Sequence, residues 1–68
     1  MNNEVRQVFE YACKLLEESG CGMHIGLLKG RFRNVNSLQD ADVVCYTVFG
    51  ACDLSWPGVT SMNHDANQ

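Results

Sequence analysis

Four cysteines (Cys13, Cys21, Cys45 and Cys52) and His24 are the residues whose types could do chemistry in this 68-residue chain. Thiolates and imidazole are the ligands tetrahedral zinc prefers, and a thiol beside an imidazole can serve as a nucleophile. The spacing argues against both uses. Structural zinc sites bring cysteines together through short knuckles of two to four residues, and neither Cys13/Cys21 nor Cys45/Cys52 is that close. For the nucleophile reading, Cys21 lies near His24, but no third group to orient the imidazole and no oxyanion hole can be picked out, and so short a chain has little room for them. We therefore expect no catalytic site, no metal and no cofactor, and we read the cysteines as small apolar residues. His24 is expected to be partly buried and hydrogen-bonded near the end of the first helix.

Lys29, Arg31 and Arg33, with Phe32 among them, form a second candidate site: the cations could contact phosphates while the ring stacks on a base. A net charge of −3 opposes general nucleic-acid binding. Every basic residue lies in the first half, and Asp40, Asp42, Asp53 and Asp65 have no basic neighbour later in the chain. A solvated edge kept soluble by cations explains the same three residues. Gly22, Gly26 and Gly30 match no phosphate-binding loop, and we read them as turn residues.

These side chains have to be positioned by one small domain, which we place over residues 1–59, with a polar tail over 60–68. Hydrophobic residues make up 46% of the chain and charged ones 19%, a globular balance well away from the signature of disorder. No apolar run approaches the roughly 20 residues that cross a bilayer, and Met1-Asn2-Asn3-Glu4 lacks the basic and apolar parts of a secretory signal. A cytoplasmic location is expected, with the cysteines as thiols.

Val5, Val8, Phe9, Ala12, Leu15 and Leu16 fall on one side of a helical wheel, with Arg6, Glu10, Lys14 and Glu17 opposite. Asn2 or Asn3 supplies a cap and Ser19-Gly20 a stop, so a helix is predicted over 3–19. From Cys21 to Val35 two readings survive. One is a short helix over 23–29. The other is a hairpin pairing 23–28 with 31–35 around Lys29-Gly30, which the alternation from Arg31 to Val35 favours.

Between Asn36 and Cys52, β-branched and aromatic residues suggest a strand, but the periodicity of Leu38, Ala41, Val44, Cys45, Val48, Phe49, Ala51 and Cys52 is helical. With Ser37 as cap and Asp40 in the first turn, we predict a helix, with Val43 as its one misfit. Trp56-Pro57-Gly58 reads as a turn that docks Trp56 on the core.

The order of an amphipathic helix, His24-Ile25-Gly26-Leu27-Leu28-Lys29-Gly30, then Val48-Phe49-Gly50 and Asp53-Leu54-Ser55, resembles the C-terminal winged-helix domain of RecQ-type DNA helicases. In that family a His-Ile stretch leads into a Leu-Arg-Gly-Ser end, where this chain has Lys29-Gly30-Arg31. The resemblance implies the trihelical half of such a domain, without recognition helix or β-wing and without unwinding activity.

The expected fold is mostly α, a small trihelical, helix-turn-helix-like domain. The alternative is α+β, one long N-terminal helix on a short antiparallel sheet. The expected function is a non-catalytic interaction domain that binds a protein or itself, most simply as a homodimer, through Val43, Tyr46, Phe49 and Trp56. A small helix-turn-helix or winged-helix-like nucleic-acid binder using Lys29, Arg31, Phe32 and Arg33 comes second, and a Cys/His enzyme a distant third.

Overall fold

The computed structural model describes residues 1–60. Among them the chain forms three packed helices and no strand: α1 (Asn3–Glu18), a 3-10 turn (Gly22–His24), α2 (Ile25–Phe32) and α3 (Leu38–Ala51). All three helices pack on one another. The tail expected over 60–68 lies, past Thr60, outside the described residues.

α1 forms where its periodicity places it. The Asn2 side chain accepts a hydrogen bond from the Val5 amide at 2.8 Å, satisfying a donor that the first turn leaves open. Val5, Val8, Ala12 and Leu16 form its buried stripe, and Phe9, Tyr11 and Leu15 pack beside it. Burying each of the larger side chains contributes about 1.5–3 kcal/mol. At the far end the Gly20 amide donates to the Glu17 carbonyl (3.2 Å) and the Cys21 amide to the Leu16 carbonyl (2.8 Å). That double hydrogen bond closes the helix through a left-handed residue, and Gly20 supplies it at φ +77°.

The hairpin favoured for residues 21–35 is not formed; the segment is the 3-10 turn followed by α2. The alternation that suggested it has another cause. Leu28 and Phe32, one turn apart, point into the core while Arg31 and Arg33 flank Phe32 in solvent, so a single buried ring between two cations reads as period two over a few residues. No side chain caps α2, and eight residues with two glycines are too few to hold a helix alone. Packing against both neighbours holds it, with the Phe9 and Phe32 rings tilted at 5.3 Å across the α1–α2 contact.

α3 follows its periodicity rather than its β propensity. The Asp40 amide donates to Ser37 Oγ at 3.1 Å, and Ala41, Cys45, Val48 and Phe49 are buried. Its C-terminus repeats the ending of α1: the Asp53 amide donates to the Gly50 carbonyl (3.2 Å) and the Leu54 amide to the Phe49 carbonyl (2.8 Å). Here the left-handed residue is Asp53, at φ +59°. The chain then folds back, and Trp56 docks on the core as expected, with its ring 5.1 Å from Phe49 and 6.0 Å from Tyr11.

Candidate functional site

Lys29, Arg31 and Arg33 are exposed, but Phe32 is only 1% exposed and belongs to the core. The stacking role expected for that ring is therefore corrected: the periodicity that buries Leu28 buries Phe32 with it. The cations also separate. Two residues along a helix turn the direction by about 200°, so Lys29 and Arg31 leave α2 on opposite flanks rather than forming one patch. Lys29 and Arg31 lie in the last turn of α2, where positive charge complements the helix dipole.

Of the four residues expected on an interaction surface, two are exposed and two are buried. Val43 (60% exposed) and Tyr46 (56%) stand on the outer side of α3. Phe49 and Trp56 are buried against each other and the core, a correction whose reason is that their edge-to-face packing uses the apolar surface we had assigned to a partner. Sequence reasoning missed Met23 (96% exposed) and Leu27, which follow the 3-10 turn into α2 at a spacing of one helical turn. That spacing was visible, but the hairpin reading put it on a strand.

Asp42 is the polar residue whose role was not foreseen. One of its carboxylate oxygens accepts from Trp56 Nε1 at 2.8 Å and from the Val59 amide at 3.0 Å. It straps the segment after α3 onto the side of that helix. Tyr46 borders the same segment: a Cβ built on Gly58 would lie 3.5 Å from its hydroxyl oxygen.

All four cysteines are free thiols. Cys45 is in the core, and burial first, then the charge of Asp42, pushes its thiol up to about 12. Cys13 lies in an open groove along α1 with Phe9, Glu10, Lys14, Glu17 and Glu18. Partial burial, then Glu17 and Glu10, push its thiol up, with Lys29 opposing. Both are held as protonated thiols at neutral pH. Cys21 and Cys52 come from distant parts of the chain and are both partly buried at the edge of the core; burial first, then neighbouring Cys21, pushes the Cys52 thiol up. Each also lies near a backbone carbonyl, Cys21 Sγ 3.9 Å from that of Ser19 and Cys52 Sγ 3.7 Å from that of Val48.

His24 is half-buried, but the hydrogen bond expected for it is not made: its Nδ1 is buried without a partner. Its backbone amide donates to the Cys21 carbonyl at 3.0 Å. No group of three or more potential metal ligands gathers among the described residues, and no helix among them is long and apolar enough to cross a membrane. Compared with known protein families, with curated proteins and with solved structures, the chain matches none of them.

Proposed function

We propose that this chain is a non-catalytic interaction domain that associates with a second copy of itself through the outer side of α3. The observation that carries this reading is the exposure of Val43 and Tyr46, one turn apart on a helix whose opposite side is fully committed to the core. A domain of this size buries only about 60% of its unfolded surface, so covering such residues against another chain adds stability that one small core supplies poorly. Met23 and Leu27 offer a second apolar pair on the 3-10 turn and α2.

The nucleic-acid reading, which the resemblance to a winged-helix domain suggested, retains exposed Lys29, Arg31 and Arg33 but not Phe32 as a stacking group. The two readings differ in their response to salt. Apolar association changes little with moderate salt, whereas phosphate contacts weaken steeply. Sedimentation at micromolar concentration in low and high salt, with and without short duplex and single-stranded DNA, separates them. We expect a dimer that persists in high salt, and a Val43→Glu variant that keeps its fold but associates at least about tenfold more weakly, the effect of a charge stranded in an apolar contact. A salt-insensitive monomer that ignores DNA overturns both readings.

A further inference from the structure

We propose that this chain also assembles head to tail: the exposed apolar row of α2, ending in a cation, seats in the acid-rimmed groove along α1 of a second copy. This contact is separate from the one on α3 and does not rest on it. The groove lies between two rows of residues four apart, Phe9-Cys13-Glu17 and Glu10-Lys14-Glu18. Phe9 and Cys13 are half-buried and give it an apolar floor, while Glu10, Glu17 and Glu18 stand exposed along it. The last turn of α1 holds two of these acids and no base, the reverse of what the helix dipole favours. That placement disfavours the isolated helix and favours an incoming cation. At the Cys13 thiol Glu17 and Glu10 each outweigh Lys29, so the field in the groove is negative.

The matching surface is on the outer side of α2. From Ser19 to Gln39 the chain has no acid and three bases, Lys29, Arg31 and Arg33. Met23, Leu27 and Arg31 follow one another at four-residue intervals, and all three are exposed. Gly26 and Gly30 leave the flank of this row bare, since a Cβ at either would meet nothing within 4 Å, so a second helix can come close to the backbone. The row and the groove each run over eight residue steps, about 12 Å of helix. Laid in the same direction they match end to end, with Met23 and Leu27 over Phe9 and Cys13, and Arg31 between Glu17 and Glu18. A second copy is the occupant because one chain carries both complementary halves at the same spacing. Such a contact is heterologous, and every string of copies keeps one open groove and one open row at its ends.

The test uses the full chain carrying Val43→Glu, which disables the α3 contact and leaves head-to-tail association to be read alone. Sedimentation in low salt should show growth with concentration, and high salt should weaken it at least about tenfold, because charge pairs at a rim are screened. Glu17→Lys with Glu18→Lys reverses the groove rim, and Met23→Glu puts a charge on the apolar row. Both change exposed side chains and should leave the chain folded. Each variant alone should associate at least about tenfold more weakly. Mixed in equal amounts, the two should recover association but stop at pairs, since one intact row and one intact groove remain between them. Alkylation of Cys13, mapped by peptide mass, should slow as concentration rises in low salt, and should not do so in either variant alone. The proposal is overturned if the Val43→Glu chain stays monomeric in low salt, including where its α2 row binds phosphatidylserine vesicles instead. It is equally overturned if association resists salt, or if the mixture associates no better than its components. A salt-resistant dimer of the unmodified chain is read separately, so this contact and the one on α3 fail independently.

Discussion

The ends of α1 and α3 carry the same pair of backbone hydrogen bonds but different residues at the turning point. At the end of α1 the left-handed position is Gly20, with no atom near enough to touch an added Cβ. At the end of α3 it is Asp53. A side chain in that conformation costs about 1–2 kcal/mol, less for aspartate than for most residues. The first helix therefore stops where local preference stops it. The second stops where something beyond the turn requires it: Leu54 packs at the core, Trp56 is buried between Tyr11 and Phe49, and Asp42 holds the returning chain. One backbone geometry is thus reached through local chemistry in one place and through tertiary packing in the other.

That contrast can be broken at several points. The largest effect is expected at the core residues whose carbonyls anchor the two endings. Phe49→Ala should cost about 3–5 kcal/mol and Leu16→Ala about 2–5 kcal/mol. Phe49 should be the more damaging site because Trp56 loses its neighbour as well. Urea melts of the two variants decide the order, and a milder Phe49→Ala would mean that packing does not hold the end of α3.

Asp42→Ala removes the acceptor of two part-buried donors, for an expected loss of about 1–3 kcal/mol. Hydrogen exchange should then speed up at the Leu54 amide and remain unchanged at the Cys21 amide. Equal acceleration at both would show that the two endings are not independently held.

Exchanging the turning residues gives the smallest effects, and they have opposite signs. Gly20→Ala should destabilise by about 1–2 kcal/mol through its backbone conformation alone. Asp53→Gly should stabilise by about 0.5–1 kcal/mol by relieving the same strain. Thermal midpoints of the pair test the point; a destabilised Asp53→Gly would show that the aspartate side chain itself contributes to the turn.

The same contrast explains what could be read from the residues alone. α1 was legible because its apolar spacing, Asn2 and Ser19-Gly20 are all local signals. The body of α3 was legible from its periodicity, but the left-handed turn at Asp53 depends on residues that pack only after the chain returns. α2 was misread because Gly26 and Gly30 weaken every local preference and its helix is set by Leu28 and Phe32 meeting other elements. At the candidate surface, Val43 stands out as the misfit on its wheel. Phe49 and Trp56 were assigned outward because apolar character does not distinguish a core from an interface until the elements are assembled. The strap made by Asp42 has no local signature.

Trp56 is the one tryptophan of the chain, and its indole is 4% exposed. Its surroundings make it an optical gauge that needs no added label. Tyr11, on the first helix, lies 6.0 Å from it, close enough for excitation absorbed by the phenol to emerge as indole emission. Phe49 and the Asp42 carboxylate, both on the last helix, set the polarity that the indole experiences. In a Tyr46→Phe variant, which removes the other tyrosine beside the returning segment, tyrosine-sensitised emission follows the approach of α1 to that segment, while the emission colour follows its seating on α3, so one spectrum can time the two closures separately.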